Sequence, residues 1–154
     1  MKKDTLKKCI ESIQKKSTYR NFEIIIVENN SKTVEIFDYY KEIDGRNGVH
    51  VVYWDREFNY SAINNFGVSY AKGDYLVCLN NDMEIISADW IEELLGHCQR
   101  AGTGIVGARL YYPDDTIQHA GIIIGIGGIA GSVFLSVRSA PIPDICTARR
   151  CSRT

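Results

Sequence analysis

Two short polar turns carry the groups of this sequence that suit chemistry. Asn80-Asn81-Asp82-Met83-Glu84 holds two carboxylates and two amides, and Glu28-Asn29-Asn30-Ser31 holds a carboxylate, two amides and a hydroxyl. Asp82, with Asn80 and Glu84 beside it, offers hard oxygen ligands in too small a number for a closed cage. A partial shell of that kind suits Mg²⁺ or Mn²⁺, whose other ligands are water and phosphate oxygens. A cation there would bridge a diphosphate and stabilise it as a leaving group. Glu28 offers acceptors to the N–H or O–H groups of a base or sugar. Each turn also has a plainer reading, because Asn and Asp end strands through turn chemistry alone.

What separates the two readings is the set of elements that would position these turns. Phe22-Glu23-Ile24-Ile25-Ile26-Val27 is nearly continuous in β-branched residues, the pattern of a strand covered on both faces. It delivers the chain to Glu28. Val49–Trp54 reads as a second strand ending at Asp55, and Tyr75-Leu76-Val77-Cys78-Leu79 as a third, buried, ending at Asn80. Helical patterns separate them. Leu6, Cys9, Ile10 and Ile13 share one helix face opposite a lysine-rich, solvated one. Val34, Phe37 and Tyr40 mark a second helix that stops near Gly45, and Ile63, Phe66, Gly67 and Tyr70 a third, capped by Asn59. A fourth, capped by Ser87, turns Ile91, Leu94, Leu95 and Cys98 inward. Strands alternating with helices predict an α/β fold with a mostly parallel sheet. Parallel strands deliver their C-terminal ends to one edge, where ligands bind in open α/β sheets. Glu28, Asp55 and Asp82 then share a rim, which favours a ligand site over three unrelated turns.

Composition narrows the partners. A formal charge of -1 over 154 residues excludes a dominant nucleic-acid footprint. The five cysteines show no C-x-x-C spacing and are odd in number, which fits reduced, buried thiols. No apolar segment follows the basic start MKKDTLKK, so the expectation is a cytoplasmic protein, at most peripheral at the inner face of the membrane.

Beyond Gly102 the pattern changes. Gly104–Tyr112 and Ile117–Gly125 read as strands around the turn Pro113-Asp114-Asp115-Thr116. The uncharged run Ala120–Val137 has the length of a membrane span, but its glycines make it too weakly hydrophobic, and no span is expected. Gly125-Ile126-Gly127-Gly128-Ile129-Ala130 matches the dinucleotide fingerprint G-x-G-x-x-A, without room after it for the βαβ unit that motif requires. The last segment, RSAPIPDICTARRCSRT, has arginine but no lysine and little apolar pattern. It is expected to be disordered or non-native, giving a domain over 1–131 and a tail over 132–154.

Taken in order, FEIIIVENNS, FNYSAINNFGVSYAKGDYLVCLNNDMEI and GIVGARLYYPDDTIQHAGIIIGIGG resemble glycosyltransferase family 2, in particular bacterial enzymes of rhamnan and O-antigen assembly. The similarity spans Thr5 to Gly131. It implies a GT-A fold, a nucleotide-diphospho-sugar donor, a glycan or lipid-linked glycan acceptor, and inverting transfer assisted by Mg²⁺ or Mn²⁺. By the same resemblance Glu28 stands where the family contacts the nucleotide base, with Asn30 beside it. Asn80-Asn81-Asp82 stands at the D-x-D motif, making Asp82 the metal and diphosphate residue with Asn80 as its neutral companion. Asn65 and Gly67 match an N-x-G near the donor, and His119 in IQHAG is read as a core or turn residue.

The chain departs from the family pattern at both ends. It starts at the first helix, without the strand that ordinarily precedes it, and the acceptor half with its Asp or Glu general base has no counterpart after Gly131. No general base is therefore assigned, and the expectation is a donor-binding fragment inactive in transfer by itself. The competing expectation is a non-catalytic interaction module whose unpaired strand edge drives homodimer formation.

Overall fold

The structure, a computed structural model, describes residues 2–125, 128, 130–132 and 147–150, with the backbone alone at 132 and 147–150. The chain forms two compact units. One comprises Arg20–Leu79 with the start of the first helix; the other comprises Thr5–Tyr19 and the chain from Asn80 onward.

In the first unit, β1 (Ile24–Glu28) runs parallel to β2 (Val49–Tyr53), in register from Ile24↔Val49 to Glu28↔Tyr53. The ladder extends past both ends, since Ile24 N–H donates to the Gly48 carbonyl at 2.8 Å and Trp54 N–H to the Glu28 carbonyl at 2.9 Å. The connection is α2 (Val34–Ile43). It ends where Asp44 N–H donates to the Tyr40 carbonyl, and Gly45 then takes a φ of 73°, a left-handed value that side chains with a Cβ resist. The Asp44 carboxylate accepts from Val51 N–H at 2.9 Å and so ties the helix end to β2.

The buried face of α2 consists of Ile36, Tyr39 and Tyr40. The expected stripe of Val34, Phe37 and Tyr40 is thus rotated: Tyr40 is inside, Phe37 is half-buried and Val34 is exposed. Spacings of three and four admit either face around Tyr40. The observed one buries the bulkier Ile36–Tyr39–Tyr40 set.

Helix α3 (Tyr60–Val68) begins at Asn59, whose side chain accepts from Ala62 N–H at 2.9 Å, as the sequence predicts. Its one buried residue is Gly67. A Cβ at that position would lie 2.8 Å from Cγ2 of Val27, so glycine is what lets α3 approach β1 so closely.

The expected buried strand Tyr75–Leu79 is not present. These residues have no strand assignment, and Tyr75, Leu76, Val77 and Leu79 are all exposed. A strand needs a hydrogen-bonded neighbour, and no described residue pairs with this run.

In the second unit, α1 (Lys3–Lys16) buries Leu6, Cys9, Ile10 and Ile13, the face read from sequence, together with Ser12. The C-terminal end of α1 is laced to β3 (Met83–Ile85) and α4 (Trp90–Cys98). Ile85 N–H donates to Ser12 Oγ at 3.2 Å, Lys16 Nζ donates to the Ile85 carbonyl at 2.8 Å, and Trp90 Nε1 donates to Ser17 Oγ at 2.8 Å. The cap of α4 falls on Asp89 rather than Ser87, and Trp90 is its buried anchor, with Ile91, Leu94, Leu95 and Cys98 half-buried. The indole buries the largest apolar area in this helix while its N–H is satisfied by Ser17.

The remaining strands are short: β4 (Arg109–Tyr111), β5 (Ile117–His119), β6 (Ile122–Ile124), β7 (Ala130–Ser132) and β8 (Thr147–Arg150). One sheet has the order β3-β8-β4-β5 and another pairs β6 with β7. Pairing is parallel in β1–β2 and β4–β8 and antiparallel in the other pairs. The architecture is α/β, with its parallel character concentrated in the first unit. Expectations for residues 133–146 and 151–154, and for 126, 127 and 129 of the G-x-G-x-x-A match, lie outside the described residues. Among the described residues no helix is long and apolar enough to cross a membrane.

Candidate functional site

The polar rim of the first unit follows from the β1–β2 pairing. Because Glu28 lies opposite Tyr53 in a parallel ladder, the turns after both strands emerge at one edge. Glu28 is buried, 3% exposed, and its carboxylate is held on three sides. Oε1 accepts from Ser31 N–H at 2.6 Å, while Oε2 accepts from Ser31 Oγ at 2.8 Å and from the Tyr40 hydroxyl at 2.5 Å. All three donors are neutral. Asn30, exposed, sits inside this turn at a φ of 58°, a left-handed value Asn tolerates better than most residues. Asn29 closes the rim: its Nδ2 donates to the carbonyls of Trp54 (3.1 Å) and Arg56 (3.0 Å), just beyond β2. Asp55, between them, is exposed.

Burial, and then the Glu28 carboxylate that accepts its hydrogen bond, pushes the Tyr40 hydroxyl well above the usual phenol range. Tyr40 therefore stays a donor throughout the physiological range. Tyr40 does not stand out as a polar partner in the sequence. Tyr40 reads there as one more apolar position of α2, and its hydroxyl acquires a role only when the helix returns onto β1.

In the second unit, Asn80-Asn81-Asp82 forms the turn that leads into β3. Asp82 is 6% exposed, Asn81 half-buried and Asn80 exposed. The turn is tied to α1, where Cys9 Sγ donates to the Asn80 carbonyl at 3.8 Å and Ser12 Oγ to the Cys9 carbonyl at 2.9 Å. Glu84 pairs with Lys16 at 2.8 Å. Glu84 is thereby engaged by α1, and Asp82 is the buried carboxylate of the turn.

Of the other candidates, Asn65 is exposed on α3 and His119 is half-buried in β5, opposite Leu110. Beside it, Gln118 Oε1 is buried and has no hydrogen-bond partner among the described residues. Among the described residues no cluster of three or more His, Cys, Asp or Glu side chains is preassembled to hold a metal. The structure thus brings Glu28, Asn30 and Asp55 to one rim within the first unit, and Asn80, Asn81 and Asp82 to one turn within the second.

Residues 1–128 match the family described as Glycosyl transferase family 2. The chain belongs to glycosyl transferase family 2. The α/β architecture is accordingly that of the family's GT-A fold. Among similar family members, the O-antigen biosynthesis protein RfbC of Myxococcus xanthus is 39% identical over 140 residues, 90% of this chain and 11% of that protein. The uncharacterized protein y4gI of Sinorhizobium fredii is 43% identical over 129 residues, 83% of this chain and 14% of that protein. Glycosyltransferase GlyG of Streptococcus pneumoniae is 32% identical over 113 residues, 72% of this chain and 36% of that protein. The chain thus spans between about a tenth and a third of the length of these relatives.

Proposed function

We propose that this family 2 chain binds a nucleotide-diphospho-sugar together with Mg²⁺ or Mn²⁺. In this reading the protein transfers the sugar, with inversion, to a glycan or lipid-linked glycan acceptor in cell-surface polysaccharide synthesis. The observation that carries it is the buried Asp82 just before β3, within the residues 1–128 that match the family. Similarity to the O-antigen biosynthesis protein supports the polysaccharide context.

The donor set fits a hard divalent cation. Asp82 supplies a carboxylate and Asn80 an amide carbonyl, and an ion that keeps waters and takes phosphate oxygens needs no more from the protein. When bound, the cation supplies positive charge against the diphosphate leaving group. The chain's own residues do the rest. In the second unit Asp82 would hold the cation, with Asn81 beside it as an amide donor; in the first unit Glu28 and Asn30 on the β1 rim are the groups that suit a base, and Asn65 on α3 is a further amide donor. The protein works in the cytoplasm and meets its acceptor at the inner face of the membrane.

Calorimetric titration with UDP, dTDP and GDP, each with and without Mn²⁺, tests this reading. Metal-dependent binding that weakens at least about tenfold in Asp82→Asn is the expected result, the size of one charge-assisted contact. Folded protein that binds no nucleotide, or binds equally well without metal, overturns it.

A second reading has one observation in its favour, the exposed run at Tyr75, Leu76, Val77 and Leu79. Apolar backbone without a neighbour favours self-association as a homodimer. Sedimentation discriminates: an obligate dimer indifferent to nucleotide supports this reading, and a monomer that binds nucleotide supports the first.

A further inference from the structure

The loop from Trp54 to Asn59 joins β2 to α3 and leaves β2 at the same edge as the Glu28 rim. Side chains hold it at several points. Asn29 Nδ2 donates to the carbonyls of Trp54 and Arg56, and Trp54 Nε1 donates to the Glu57 carbonyl at 3.0 Å. The Trp54 ring packs against Phe66 of α3 with centroids 5.3 Å apart, and the Arg56 guanidinium lies 5.4 Å from the Trp54 centroid. At the far end Asn59 caps α3 through Ala62 N–H, and Asn64 Nδ2 donates to the Tyr60 carbonyl at 2.7 Å.

This fixed loop presents two aromatic rings that the fold leaves unused. Phe58 is 71% exposed and Tyr60 63% exposed, and neither makes a ring contact among the described residues. Asn59 between them is extended, at φ −140° and ψ 116°, and turns its own side chain to the helix. Alternation along extended backbone then sends Phe58 and Tyr60 out on one side, with Cα atoms about 7 Å apart, close to the width of one six-membered ring. Apolar rings held side by side in water mark a binding surface.

The charges around the pair select its occupant. Asp55, Arg56 and Glu57 are all exposed, two carboxylates to one guanidinium. Phosphates and anionic lipid headgroups are therefore repelled, and an apolar protein core would have to desolvate those carboxylates. A neutral pyranose suits both features. Its C–H face stacks on an aromatic ring, and its outward hydroxyls find hydrogen-bond partners in Asp55, Arg56 and Glu57. We propose that Phe58 and Tyr60 form a stacking platform for one pyranose ring of the glycan acceptor. This rests on the transferase reading above, and it locates acceptor recognition in the first unit.

The test is saturation-transfer NMR on the full 154-residue chain, with the methyl glycosides of rhamnose, glucose, galactose and N-acetylglucosamine as probes. At least one glycoside should receive saturation at its ring C–H protons. That signal should fall at least about threefold in Phe58→Leu and in Tyr60→Leu, the size of one aromatic contact, and persist in Phe58→Trp. Leucine keeps the apolar bulk, so the loss reads the aromatic face itself, and far-UV circular dichroism checks the fold of each variant. No saturation of any glycoside in protein that still binds UDP with Mn²⁺, or an undiminished signal in the leucine variants, overturns this inference alone. UDP binding that weakens in step with the glycoside signal assigns the rings to the nucleotide and overturns it as well. Glycoside binding without any nucleotide binding keeps the platform and removes the donor site. Folded protein that binds neither overturns both.

Discussion

Two stretches of this chain are written almost alike and end in different states. Ile24–Glu28 and Tyr75–Leu79 are both short apolar runs that lead into an Asn-rich acidic turn. The first is β1, paired residue by residue with β2 and approached by α3 at Gly67. The second is exposed and unpaired among the described residues. Apolar, β-branched composition makes a strand available, but the strand is made by a neighbour that takes its N–H and C=O groups and a layer that covers its side chains. Consequences reach the two turns as well. Glu28 leaves a fixed strand and is clamped by Ser31 and Tyr40, whereas Asp82 is placed by β3 after the turn and by the hydrogen bonds of α1.

The sharpest way to break this contrast is to truncate one residue in each run. Ile26 is 6% exposed and Leu76 is 53% exposed. Ile26→Ala should cost about 2–4 kcal/mol, the transfer term plus a cavity in a covered strand. Leu76→Ala should stay within about 0.5 kcal/mol, the range of surface substitutions. Urea unfolding followed by circular dichroism gives both numbers. Equal losses would show that Tyr75–Leu79 is buried in solution and that the contrast is wrong.

Much of the first unit was legible because its signals are local. The Asn59 cap, the left-handed Gly45 after α2, and the lengths of β1 and β2 all depend on residues a few positions apart. The face of α1 was legible for the same reason. What escaped were pairings set by tertiary approach. Tyr40 to Glu28 needs a helix returned onto its strand, Cys9 and Asn80 stand 71 residues apart in sequence, and Trp90 finds Ser17 only after α1 and α4 meet. The strand expected at Tyr75–Leu79 failed for that reason too, and the nearest strand instead forms beyond the turn, at Met83–Ile85. At the candidate site, residue types pointed to Glu28 and Asp82. The donors around Glu28 and the Lys16 pairing of Glu84 could not be read from spacing.

A smaller effect tests why β1 is covered at all. Gly67→Ala places a Cβ 2.8 Å from Val27 Cγ2, and the β-branched valine has little rotamer freedom with which to yield. The helix must shift, at about 1–3 kcal/mol. Val27→Ala in the same chain removes the clashing methyl, so the double variant should recover part of the loss when compared through a double-mutant cycle. Strictly additive losses would mean that α3 does not rest on β1 through this glycine.

The smallest effect concerns the clamp on Glu28. Tyr40→Phe keeps the ring and removes one hydrogen bond to the buried carboxylate, a loss of about 1–2 kcal/mol near neutral pH. Its distinguishing feature is pH dependence. Burial and the neighbouring carboxylate raise the ionisation range of Tyr40 in the folded protein above that of the unfolded chain. The unfolded tyrosine loses its proton first, at about pH 10, so the contribution of Tyr40 is fully present below that value and declines as pH rises further toward the folded range. Wild-type protein should therefore lose more stability than Tyr40→Phe between about pH 10 and 11.5, and the two unfolding midpoints should converge. Parallel curves across that window would mean that the hydroxyl is solvated rather than bound to Glu28, and the clamp that sets β1's turn apart from the turn at Asp82 would be gone.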